Sequence, residues 1–400
     1  MTDTAATART PYAAAVYLAF VQFLFVTCWT LYVIYLPALL ESAGLPRRYA
    51  PWILILDQII FMVMDVVMGV AADRAARTLG RVGPLIMALT AVSCIAFLLI
   101  PHLGGASSAV LLALILAWTI TSSALRAPPW VLLDRYAATT SVPWLSALML
   151  TGLAVGGAVA PYLGITMKNV DPRLPFAVSS LVLLAATAGL IWVERDLARR
   201  GMKPASATAP RAGLNPGSWL FVAGCLLLAL GFQIHFSLNS ARQYLQFSRP
   251  DALQYLMPVF WIGFNVAMFP GAALAKRYGT LPVVAGAALA GAGGTIASVH
   301  AGSLDALIAA QLIAGGAWGC VMMASFSAAL EFGRTGREGL ILGLLFAALA
   351  GATLARIGAV IAELGRSPAV TPALDWAPFA LWLAAGLLFA TLALRAGRST

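Results

Sequence analysis

The sequence predicts an all-α polytopic membrane protein, with twelve transmembrane helices in two pseudo-symmetric bundles of six. Three observations predict this. Hydrophobic residues make up 61% of the chain and charged residues 10%, where a soluble chain carries roughly 25% charged residues. Apolar runs of about 18–25 residues recur along the whole length, enough to cross ~30 Å of hydrocarbon. The frame around Gly69, Asp73 and Arg74 returns at Gly271, Ala275 and Lys276, each pair 202 residues apart.

Without water in the bilayer core the backbone must satisfy its own hydrogen bonds, so these runs are helices. They are continuous and not alternating, which excludes a β-barrel. In order, helices are expected at about 12–40, 49–72, 82–101, 107–130, 142–167, 173–194, 218–245, 251–274, 281–300, 304–330, 338–364 and 374–395. The first is long enough to tilt, and Pro37 bends it near its far end. The second carries Asp57 and Asp65 and runs into Asp73-Arg74 and a basic loop. The fourth holds Arg126 and ends near Asp134, and the fifth is rich in glycine. Between the sixth and seventh lies the longest polar stretch, basic and rich in Pro, Gly and Ser. It reads as a linker. The expected organisation is therefore a bundle over 1–196, a cytoplasmic linker over 197–217 and a second bundle over 218–400. Such parallel repeats are a transporter plan.

The basic residues set orientation. With the N-terminus inside, sixteen of the 25 Lys and Arg fall in inner segments and six in outer ones. Both termini are expected in the cytoplasm. The chain reads as a multi-pass protein of a bacterial inner membrane. The net charge of +10 is thus a topology signal and not a nucleic-acid footprint. The four cysteines lie inside apolar runs, without metal or disulfide spacing. The N-terminus lacks a cleavable-signal pattern, so the first run stays as a helix.

The stretch Gly69-V-A-A-Asp73-Arg74, followed by Gly80-Arg81, resembles the signature between helices two and three of the major facilitator superfamily. Its longer spacing, with Asp65 four residues before Gly69, is similar to the glycoside–pentoside–hexuronide and sucrose-transporter branch. Val66 stands where that branch has proline, and Phe61 stands at its second acidic position. Pro129-W-V-L-L-Asp134 and the glycines at 152, 156, 157 and 164 resemble the superfamily's fourth and fifth helices. The resemblance implies that Asp73 and Arg74 form a latch on the cytoplasmic side, with Asp134 in a similar role, and that helices two and eleven face each other across the two halves. Independently of family, glycines four apart let helix backbones approach closely in lipid. They are expected to line the sliding surface between halves, with plain structural packing the alternative for each glycine taken singly.

Charge inside a membrane costs on the order of 2.5–3.5 kcal/mol per residue, so each instance needs a reason. For Asp65, proton or cation coupling stands beside a structural pair with an arginine. For Asp57 the same coupling stands beside an outer-gate salt bridge to Arg356, since both lie about eight residues from the far ends of their helices. On the seventh helix His235, Asn239 and Arg242 are spaced to share a face. His235 offers a proton relay; plain hydrogen bonding to a neighbour accounts for it equally. On the first, Gln22, Trp29 and Tyr32 form an amphipathic aromatic wall. Trp261 and Asn265 are one turn apart on the eighth. With Arg126, an anion ligand or a partner for a carboxylate, these are the candidate solute contacts.

No nucleotide-binding, zinc or nucleophile motif is present. An enzyme is not expected, nor a cofactor. The reading is a secondary transporter of a small polar solute, a monomer working by alternating access with proton symport. Proton-antiport efflux is the alternative. A non-transporting assembly or delivery factor is the alternative of another class.

Overall fold

The computed structural model describes residues 12–78, 82–134, 141–167, 169–199, 214–334 and 336–397. Twelve of its helices are long and apolar enough to span a membrane. They are α1 (Tyr12–Ser42), α2 (Arg47–Ala76), α3 (Gly83–Ala106), α4 (Ser108–Asp134), α5 (Val142–Thr166) and α6 (Arg173–Arg195). The second half holds α7 (Pro216–Tyr244), α8 (Pro250–Tyr278), α9 (Thr280–Val299), α10 (Leu304–Gly333), α11 (Glu338–Ile361) and α12 (Thr371–Ala396). The expected spans agree with these to within a few residues. Most of the linker expected at 197–217 lies outside the described residues, as do Gly80 and Arg81 of the basic motif.

An even number of crossings puts both termini at one face of the bundle, here called the termini face. Each half is closed by its own polar cap at that face. Glu194, at the end of α6, accepts the backbone N–H groups of Val82 and Gly83 at 2.8 and 2.9 Å, satisfying the start of α3. In the second half Thr280, at the start of α9, donates to Glu331 of α10 at 2.7 Å.

The two halves meet through α2 against α11 and α5 against α8. Gly69 and Gly339 make the first contact possible: a Cβ on Gly339 would lie 2.1 Å from the Gly69 carbonyl oxygen. No other residue type permits that approach. The glycine-rich α5 divides between the two readings from sequence. Gly152 packs on the Ala19 backbone and Gly156 on Val26, both of α1, within the first half. Gly157 alone of these three meets the other half, against the Trp261 ring. Glycine spacing reports close packing and does not say which neighbour is packed upon.

Two spans depart from regular α geometry. In α4, a 3-10 turn over Ser123–Leu125 ends at Arg126, whose φ/ψ of −95°/−88° is not helical. Pro128 and Pro129 follow and lack N–H groups. Pro129 leaves the Leu125 carbonyl without its helical donor, and Gln22 of α1 supplies one, with Nε2 at 2.6 Å. In α7, Gln233–Asn239 form a π-helical turn.

Candidate functional site

A cavity of about 450 Å³ lies between the halves, within the size range of small-molecule sites. Its walls come from α1, α2, α4, α5, α7, α8, α10 and α11. Gln22, Phe25 and Trp29 present one stripe of α1 to it. Trp29 is steadied by stacking on Trp118, with centroids 5.7 Å apart. Across from them, Phe232 stacks on Trp318 at 4.5 Å and 6°, and Trp261 stands edge-on to Phe232. On α11, Phe346, Ala350, Thr353, Ile357 and Val360 form the facing stripe, with Arg356 beside them. Pro51 and Val360 border the end away from the termini face; Phe61, Arg126 and Phe346 border the opposite end.

Arg126 is placed there by the break in α4. Its Nε lies 2.9 Å from Asp65 Oδ1, and Asp65 is wholly buried. The contact is an ion pair without a directed hydrogen bond, because neither Asp65 oxygen nor Arg126 Nε has a hydrogen-bond partner. The guanidinium is also stacked between Phe61 of the first half and Phe346 of the second, 4.7 and 4.9 Å from the ring centroids. The Asp65 backbone in turn packs on α11, where a Cβ on Gly343 would come within 2.5 Å of its carbonyl oxygen. One buried charge pair therefore lies at the seam between halves. Of the two readings open for Arg126, an anion ligand or a partner for a carboxylate, the second is met by Asp65, the arginine pair that stood open for that residue.

Asp57 does not pair with Arg356. It is fully buried between α1, α2 and α4, where Tyr32 donates to Oδ2 at 2.8 Å and Thr119 to Oδ1 at 2.9 Å. Equal depth along two helices says nothing about the direction of either side chain, and Asp57 points into its own half. Tyr32 is consequently removed from the expected cavity wall. Arg356 is half-buried and lines the cavity, and its Nε is buried without a hydrogen-bond partner.

The polar face of α7 also turns away from the cavity. His235, 1% exposed, lies 3.1 Å from Gln311 Oε1 through Nε2. Asn239 donates to the Leu374 carbonyl at 2.8 Å, and Arg242 pairs with Asp375 of α12. These partners belong to the second half. A polar side chain amid hydrocarbon gains as much from a neighbouring helix as from a cavity. Asn265 likewise donates to Trp261 O of its own helix, at 2.9 Å. The cavity-facing polar groups missed from sequence are Gln58, Gln233 and Thr353. Gln233 donates to Thr353 Oγ1 at 2.9 Å.

At the termini face, Asp73 crosses between halves. Its carboxylate accepts the N–H groups of Gly339 and Leu340 at 2.8 and 3.0 Å, capping α11 where the helix dipole favours an anion. Trp130 stacks on Phe326 at 4.3 Å, and Ser327 donates to Ser146 at 3.0 Å, closing the same face. Arg74 is exposed beside Asp73. Asp134 is partly buried among charged groups of the other half, Glu338, Arg334 and Glu331.

The sequence model of the Major Facilitator Superfamily matches residues 18–355. No curated protein matches the chain. Among solved structures, the chain is similar to the Escherichia coli fucose:proton symporter FucP, with 13% identity over 96% of this chain and 99% of that one, TM-score 0.69. It is similar to a bacterial homologue of the iron transporter ferroportin in an outward-facing state, with 14% identity, 95% and 99% covered, TM-score 0.72. The human organic anion transporter MFSD10 (TETRAN) gives 17% identity, 95% and 100% covered, TM-score 0.68. At such identities the likeness establishes the fold, and the sequence match establishes the family: the chain belongs to the Major Facilitator Superfamily, whose members are secondary transporters.

Proposed function

We propose that the chain moves a small polar solute by alternating access, as a proton symporter, with Asp65 and Arg126 as the coupling pair. The basic bias of the termini face assigns it to the cytoplasm. The cavity is then in its outward-facing state, able to load from outside while the Asp73 cap and the Ser146–Ser327 contact keep the cytoplasmic side shut. The single observation that carries the reading is the Asp65–Arg126 pair at the floor of the cavity, against the α2–α11 seam.

A proton bound at Asp65 removes the carboxylate charge and releases Arg126 toward the cavity. Losing one member of a buried pair is costly, on the order of 3–5 kcal/mol when the other charge is left uncompensated. A solute that engages the freed guanidinium restores that stabilisation. Proton and solute therefore favour binding together, which is the thermodynamic content of symport. Asp57 is a second proton-binding candidate, as a wholly buried carboxylate without a cation beside it. His235 is enclosed by its own half and acts there as a structural group.

The test is uptake into proteoliposomes with the exterior made acidic. The wild type is expected to accumulate solute, and Asp65→Asn to exchange it without accumulation. Accumulation by Asp65→Asn equal to wild type would falsify the coupling role. Uptake driven only by an acidic interior would indicate antiport efflux. No flux across a broad panel of solutes would favour an assembly or delivery role.

A further inference from the structure

We infer that the solute is an organic anion with a flat apolar body, and that Arg356 is the residue selecting its acid group. The inference rests on the proposed transport reading and names the substrate class of the same cavity.

Charge comes first. Among the described residues, the cavity wall contains two cations, Arg126 and Arg356, and no Asp or Glu. Asp57 and Asp65 are both wholly buried and line none of it, and Asp65 is engaged by Arg126. A cationic solute would meet the unbalanced Arg356 and an Arg126 already paired with Asp65, with no free carboxylate in the wall. A neutral one would leave Arg356 as it is, its Nε enclosed and unpaired. An anion completes it. Charge-assisted hydrogen bonds are the strong ones, and a guanidinium matches a carboxylate in bidentate geometry.

The two arginines are unlike each other. Arg126 is balanced by Asp65. Arg356 has no such partner among the described residues, and lies ten residues further along α11 than Phe346, against which Arg126 stacks. Ten residues span about 15 Å of helix. The unbalanced charge is therefore toward the mouth, where it meets solute first, and the balanced one is at the floor.

Shape comes second. Between the two ends the walls are aromatic on both sides: Trp29 and Phe25 from the first half, Phe232, Trp261 and Trp318 from the second. Planar rings offer large apolar area to a flat body. The glutamines at 22, 58 and 233 add polar groups to the wall near it, Gln22 and Gln233 already bonded to Leu125 and Thr353. Carboxylates and sulfonates share the required chemistry. One proton carried with one monoanion moves no net charge.

The test is equilibrium binding to the purified full chain, read by thermal shift and calorimetry. It does not depend on flux. The probes are 4-phenylbutyrate, 3-phenylpropanesulfonate, the neutral 4-phenylbutanamide and the cationic 4-phenylbutylamine. The two anions are expected to stabilise the protein, and the amide and amine to do so at least tenfold more weakly. Arg356→Gln is expected to lose roughly tenfold or more in anion affinity, and Arg356→Lys to retain part of it. The melting temperature of each variant without probe reports folding. Equal binding of acid and amide, unchanged affinity in a folded Arg356→Gln, or no anion-dependent shift overturns the inference. Failure of Asp65→Asn to uncouple would leave these results untouched, so the two readings fail separately.

Discussion

At the scale of single residues, the buried carboxylates differ in what balances them. Asp65 has a cation and no hydrogen bond; Asp57 has two hydroxyl donors and no cation. Exchanging Asp57 with Arg356 puts a guanidinium into a space sized for a carboxylate between Tyr32 and Thr119. It also puts a carboxylate beside a cavity without its partner. The swap Asp57→Arg/Arg356→Asp is therefore expected to fold and transport worse than either Asp57→Asn or Arg356→Gln. Rescue by the swap, measured as transport per folded protein, would restore the salt bridge that the geometry lacks. The sequence showed which residues are charged inside the membrane, and so named Asp57, Asp65, Arg126 and Arg356. It did not show their pairing, because direction around a helix depends on packing against neighbours far away in the chain.

At the scale of elements, the apolar runs gave all twelve spans because hydrocarbon thickness constrains length so strongly. The departures inside them were less legible. The Pro128-Pro129 pair was a visible signal for the break in α4, whereas nothing in Gln233–Asn239 announces a π turn. The break sets up a test of the Gln22–Leu125 bond. Gln22→Leu removes the side-chain donor and leaves the Leu125 carbonyl unpaired, a loss of about 1–2 kcal/mol in a membrane interior. Pro129→Ala supplies a backbone N–H that can reach the same carbonyl in a regular helix. In the Pro129→Ala background the Gln22→Leu penalty is thus expected to shrink by half or more, read as a double-mutant cycle on thermal stability. Strict additivity would mean that the glutamine does not compensate for the missing proline donor.

At the scale of the whole molecule, the two faces are held by different means. The termini face is shut by backbone contact and a shared cap: Gly69 on Gly339, and Asp73 on the first N–H groups of α11. The repeat offset in the sequence located Gly69 and Asp73, but their partners on α11 carried no motif and appeared only with the fold. This arrangement makes closure of that face selectively breakable. A Cβ at Gly339 would overlap the Gly69 carbonyl at 2.1 Å and crowd Asp73 Oδ1 at 2.8 Å. Backbone cannot yield as a flexible side chain can, so Gly339→Val should penalise the present state and leave an inward-facing state, with α2 and α11 apart, free of the clash. A differential of about 1.4 kcal/mol is a tenfold change in the ratio of the two states. Ser327, buried against Ser146 while the face is shut, is the place to read it. In a background lacking the four native cysteines, Ser327→Cys is expected to react slowly with a maleimide applied to the termini face. Adding Gly339→Val should raise that rate several-fold, and Asp73→Ala should raise it less, because it removes the cap without adding a clash. If Gly339→Val folds and leaves the rate unchanged, the Gly69–Gly339 contact is not what holds the face closed.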